Sequence, residues 1–173
     1  MKILFCDIDG VLNDHSPMMN MYCGIDKEKV NLLNRVLDET GCYIVISSAW
    51  RYMILGGDMT IRGFEHMLLT HGLNCYNRVI GHTPSDEKIR TRGQQISWWL
   101  DEEFDKFLQK FNYTAELRKQ IFEKSLKYVV VDDLDEEYEG IKITQAGHTL
   151  VKTDGKVGLT NENCTELIRI LND

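Results

Sequence analysis

The sequence predicts an α/β protein built on a central parallel sheet flanked by helices, and three observations carry that expectation. Short, nearly all-apolar runs recur at 2–6, 43–46 and 128–131, as strands covered on both faces require. Stretches with apolar residues at helical spacing separate them, the alternation of an α/β fold with right-handed crossovers. Each run also ends in polar side chains: Asp7 and Asp9, then Ser47 and Ser48, then Asp132 and Asp133. In open α/β sheets, sites form beyond the carboxyl ends of the strands.

The first strand is expected over 2–6, followed by a loop over 10–24. Asp26 suits the N-cap of a helix carrying Val30, Leu33, Val36 and Leu37, and Gly41 closes it. A second strand follows at 43–46. Gly56 and Gly57 mark a loop, and Phe64, Met67 and Leu68 predict a helix ending at Gly72. Val79 and Ile80 form a short, weak strand before a polar turn through Pro84. A helix start is expected near Gly93. Ile96, Trp99, Leu100, Phe104, Phe107, Leu108 and Phe111 then predict one long amphipathic helix or a broken one. Thr114 caps another helix with Leu117, Ile121 and Phe122. Strands are expected at 128–131, at Ile141, Lys142 and Ile143, and at Thr149, Leu150 and Val151. Asp154 and Gly155 form a turn. Thr160 caps a last helix with Leu167, Ile168 and Leu171.

At 173 residues the expectation is a single domain over 1–173, with a helical insertion at about 101–127. The aromatic residues of that insertion are expected in the core. A net charge of −7 argues against broad electrostatic binding to nucleic acid or anionic membrane, though not against a local basic patch. The five cysteines include no Cys-x-x-Cys pair, and Cys6 and Cys42, beside predicted strands, are expected as core residues rather than disulfide partners or zinc ligands. The amino-terminal apolar run is short and broken by Asp7, and no stretch is long enough to span a bilayer, so the expectation is a cytoplasmic protein.

Two parallel neighbouring strands ending in Asp7, Asp9, Asp132 and Asp133 would bring four carboxylates to one sheet edge, enough for a hard cation such as Mg²⁺. Between the second and last polar features lie Lys88, Arg90 and Arg92. This set suits phosphoryl transfer. A carboxylate attacks phosphorus only when phosphate charge is offset by a metal and a Lys or Arg. A second acid two residues on can protonate the leaving oxygen and then take a proton from water, while a hydroxyl donates to a phosphoryl oxygen.

On these residues the chain resembles the haloacid dehalogenase-like (HAD) phosphohydrolase superfamily. "LFCDIDGVLN" is similar to its first motif, "YIVISS" to its second, the basic cluster before "GQQISWWL" to its third and "YVVVDDLD" to its fourth. More narrowly, "SSAWR", "RGQQISWWL", "YVVVDDLD" and "LVKTDGKVGLT" resemble a small HAD subgroup, some of whose members are fused to or associated with RNA-repair modules. The stretch over 101–127 is longer and more helical than that subgroup's usual link.

The resemblance implies a Rossmann-like core and the following roles. Asp7 is the nucleophile that forms an aspartyl-phosphate, and Asp9 is the general acid/base, with its backbone carbonyl on Mg²⁺. Ser47 donates to the phosphoryl group, with Ser48 as the alternative. Arg92 is the third-motif cation, with Lys88 as the alternative. Asp133 is a direct metal ligand and Asp132 its companion, so the metal set is Asp7, Asp9, Asp132 and Asp133. Arg51 could meet a second phosphate or an acidic substrate group. Asn13 and His15 lie in the family's flap region, and Asn13 joins Ser48, Arg51 and Lys88 as a candidate phosphate- or substrate-binding residue. For Trp50 and His15, packing or exposure is expected rather than catalysis.

The segments between the motifs are too short for a large cap domain, so an open site is expected. It admits a phosphorylated small molecule, a nucleotide or a nucleic-acid end. The helices after Leu100 could partly cover it. The expected function is a Mg²⁺-dependent phosphatase. The alternatives are a non-catalytic phosphate- or nucleic-acid-binding module on the same fold, and a receiver-type signalling domain, against which the late second acid pair argues. Oligomeric state is not legible.

Overall fold

The computed structural model describes residues 1–14, 24–85, 91–134 and 150–173. Five strands, β1 (Lys2–Cys6), β2 (Tyr43–Ile46), β3 (Val79–His82), β4 (Lys127–Asp132) and β5 (Leu150–Lys152), form one sheet in the order β3-β2-β1-β4-β5. Every neighbouring pair is parallel. β1 therefore lies at the centre, flanked by β2 and β4, and the polar ends of these three strands share one edge.

Successive residues of a strand point to opposite faces. Leu4, Cys6, Ile44, Ile46, Val129 and Val131 fill one core with α1 (Lys27–Thr40), α3 (Ile61–Thr70) and α7 (Asn161–Asn172). Ile3, Phe5, Val45, Tyr128 and Val130 fill the other with α4 (Arg92–Glu102) and α5 (Phe104–Gln109). Both faces are covered, which is why the strand sequences are almost wholly apolar rather than alternating.

The caps fall where the sequence places them. Asp26 accepts from the Glu28 N–H, and Gly41 closes α1 at φ 67°. Thr160 opens α7 with a capping box. Thr91 opens α4 in the same way, so the helix begins at Arg92, one residue before the expected start. The long amphipathic stretch is broken at Glu103 between α4 and α5. Thr114 then caps α6 (Ala115–Gln120), which a π turn at Ile121–Ser125 continues. A 3-10 turn at Ala49–Arg51 leads into α2 (Tyr52–Leu55). The strand expected at Ile141 to Ile143 lies outside the described residues.

Two contacts of the helices after Leu100 lie away from the sheet edge that carries the acids. Phe107 packs edge-on against Tyr43, the first residue of β2, and the amino group of Met1 donates to the Ser125 carbonyl. These contacts are at the amino ends of the strands, the opposite end from Asp7. Trp99, Phe104, Phe107 and Leu108 are buried as core against one face of the sheet, whereas Phe111 and Phe122 are exposed. Among the described residues no cap domain interrupts the core, and no helix is long and apolar enough to cross a membrane. Cys6, Cys42, Cys75 and Cys164 are free and buried; Cys23 lies outside the described residues.

Candidate active site

The ladder around β1 puts the polar strand ends side by side. Cys6 pairs with Ile46 on one side and Val131 on the other. The Asp7 N–H donates to the Val131 carbonyl and the Ser47 N–H to the Cys6 carbonyl, each at 2.9–3.0 Å. Asp7, Ser47 and Asp132 are therefore the next residues on three adjacent strands, and all are buried. Oxygens of Asp7, Asp132 and Asp133 come within 4.8 Å of one another.

The Arg92 guanidinium enters from the start of α4. Its Nη1 lies 3.4 Å from Asp7 Oδ1 and 3.2 Å from Asp132 Oδ2, and it donates to the Ser47 carbonyl. The alternative cation, Lys88, lies outside the described residues, as does His15. Asp132 Oδ1 accepts from the Leu134 N–H at 2.9 Å. Asp133 is half-buried and packs on Gly10, where an added Cβ would sit 2.6 Å from its Cγ. Gly10 also has φ 74°, so the turn after the first strand requires glycine twice over.

Burial pushes the Asp7 carboxyl up to about 7, against the lowering pull of Arg92; Asp132 pushes it up further, and a Ser48 hydrogen bond opposes that. Asp7 Oδ1 and Ser47 Oγ are buried with no hydrogen-bond partner among the described residues. A desolvated carboxylate beside two others is costly without a cation. The all-oxygen donor set of Asp7, Asp132 and Asp133 fits a hard divalent ion.

Asp9 is half-buried, and both of its oxygens are held. Asn13 Nδ2 donates to Oδ1 at 2.8 Å, and Trp50 Nε1 donates to Oδ2 at 2.9 Å. Asn13 is itself buried; its Nδ2 also donates to the Gly24 carbonyl, and its Oδ1 accepts from the Gly10 N–H. It fastens the loop after β1. Arg51 is 5% exposed and turns inward, donating to the Ser48 carbonyl at 2.7 Å and to Gln95 Oε1 at 3.1 Å. It thus joins the turn after β2 to α4.

Sequence reasoning missed two contributors. Trp50 reaches Asp9 from the turn after β2; the signal was an indole N–H, which needs a partner once partly buried, two residues after the second serine. Thr153 follows β5. Its Oγ1 donates to the Gly10 carbonyl at 2.7 Å, and its N–H donates to the Asp132 carbonyl at 2.9 Å. A threonine after a three-residue strand gives no such signal.

A strand-end aspartate ringed by carboxylates, an arginine and hydroxyls on this sheet order defines a HAD-like α/β protein. The chain belongs to the family described as the HAD domain in Swiss Army Knife RNA repair proteins, whose model matches residues 3–164. Neither the curated proteins nor the solved structures compared with the chain include a match.

Proposed function

We propose that this protein is a Mg²⁺-dependent phosphatase that hydrolyses a phosphomonoester on a nucleotide or nucleic-acid end. The observation that carries the reading is Asp7: a buried carboxylate with Oδ1 unbonded, facing Arg92 and grouped with Asp132 and Asp133. The HAD family supports phosphohydrolase chemistry, and its RNA-repair setting supports the substrate class. The absence of a cap domain among the described residues suits a substrate too large to be enclosed.

In this reading a carboxylate oxygen of Asp7 attacks phosphorus. The ester P–O bond breaks, and the leaving oxygen takes a proton from Asp9. Water then attacks the aspartyl-phosphate and gives its proton to Asp9; the P–O bond to Asp7 breaks and inorganic phosphate leaves. Arg92 and the Ser47 hydroxyl hold phosphoryl oxygens. Asp7, Asp132, Asp133 and the Asp9 carbonyl would hold Mg²⁺, which neutralises phosphate charge when bound.

Phosphate release is the test. The panel is an aryl phosphate, nucleoside monophosphates, and oligonucleotides phosphorylated at either end, in Mg²⁺ or EDTA. Turnover that needs Mg²⁺ and disappears in Asp7→Asn is the expected result, with an oligonucleotide or nucleotide preferred. Turnover unchanged in Asp7→Asn would overturn the reading.

A further inference from the structure

We propose that Trp50 is a positioning residue for Asp9, holding the acid/base by its indole N–H so that the carboxyl meets the leaving oxygen. The proposal rests on the phosphatase reading above and adds a residue to it. Trp50 lies in the short turn Ala49–Arg51, at the carboxyl end of β2, whereas Asp9 follows β1. The two residues are 41 positions apart, yet Nε1 is 2.9 Å from Oδ2. The indole ring is partly buried against the core beneath the site, so its N–H is aimed by packing rather than by a flexible stem. The Trp50 backbone N–H also donates to Ser48 Oγ at 3.3 Å, which fixes the turn that carries the indole. Asn13 holds the other oxygen of Asp9, so two donors on opposite sides set the plane of the carboxyl. Each carboxyl oxygen retains a lone pair after accepting one N–H, which leaves room for the transferred proton.

An acid is needed most where the leaving oxygen is poor. Misplacing Asp9 therefore costs an alkyl phosphate much more than a nitrophenyl phosphate, which leaves with little help. The quantity to compare is kcat/KM, which reports formation of the aspartyl-phosphate and not its hydrolysis. In Trp50→Phe, which keeps a ring and removes the N–H, kcat/KM should fall about tenfold for an alkyl phosphate and less than about twofold for nitrophenyl phosphate. Replacement of Trp50 by benzothienylalanine, which keeps the shape of indole without the N–H, should give the same split if the phenylalanine variant packs poorly. Equal losses on both esters, or none on either, would overturn the proposal. A second readout is independent of turnover. With nitrogen-labelled tryptophan, the Trp50 indole N–H resonance should shift in Asp9→Asn while those of Trp98 and Trp99 hold; an unmoved Trp50 resonance would overturn the pairing. A protein that hydrolyses neither these esters nor any nucleotide or oligonucleotide of the panel would overturn the phosphatase reading and the positioning role together, while the resonance would still report the contact.

Discussion

Thr153 and Gly10, 143 residues apart in sequence, are joined by a buried hydrogen bond of 2.7 Å from the threonine hydroxyl to the glycine carbonyl. The same threonine's N–H bonds to the Asp132 carbonyl, so one residue ties the turn after β1 to the end of β4. The relative placement of Asp7, Asp9 and Asp132 depends on this tie. Thr153→Val keeps the shape and leaves a buried carbonyl without its donor, a loss of about 1–3 kcal/mol. Chemical denaturation should show that loss, and Mg²⁺ affinity measured by titration calorimetry should weaken as well.

Gly10→Ala meets two obstacles. The backbone at φ 74° disfavours any side chain, and the new Cβ would press on the Asp133 carboxylate. The backbone penalty alone is about 1–2 kcal/mol. Because Asp133 must move, Mg²⁺ binding should suffer more than folding. Comparing melting temperatures in EDTA and in Mg²⁺ checks this: the metal-induced rise should be much smaller than in wild type.

Asp7 makes the metal-free protein sensitive to pH. Its carboxyl is raised from 3.8 to about 7 by burial, so between those values the folded chain keeps a proton that the unfolded chain has released. Stability in EDTA should therefore fall as pH rises through that window and level off above it. Asp7→Asn removes the effect. The variant should be no better than wild type at about pH 4 and melt several degrees higher at about pH 8. Mg²⁺ should stabilise wild type at the higher pH, where the carboxylate is free to bind it. Thermal unfolding of both proteins at both pH values, with and without Mg²⁺, checks these expectations.

Arg92 stands between two buried carboxylates. Arg92→Ala leaves both without their cation, and removal of one partner from a buried ion pair costs about 3–5 kcal/mol. Mg²⁺ should recover much of that stability, since it supplies positive charge to the same oxygens. It should not recover phosphatase turnover, for which a drop of about 10²–10³ is expected when a phosphoryl-holding donor is lost. Arg92→Lys keeps the charge without the guanidinium fork and should fall between.

Much of the core was legible because strand burial and helix capping are written locally. The runs at Lys2–Cys6 and Tyr43–Ile46 are strands with the expected bounds, and Asp26, Thr114 and Thr160 cap helices as their chemistry predicts. Asp7, Ser47 and Asp132 were visible as polar residues at the ends of apolar runs. The break at Glu103 was open from the sequence, since apolar spacing continues across it. The helices of 101–127 carried no sign of which end of the sheet they cover, because a helical stripe states that it packs and not where.

What the sequence determined by itself was most of the helices and strands, though not α2, together with the parallel sheet and the chemical kinds gathered at its carboxyl edge, since apolar period and strand-end acids are properties of neighbouring residues. Only the tertiary structure decided which side chains meet. Trp50 reaches Asp9, Thr153 reaches Gly10, and Arg51 turns inward to Ser48 and Gln95. These pairs are set by strand order and by how each loop leaves the sheet. Such contacts join residues distant along the chain, and no local pattern encodes them.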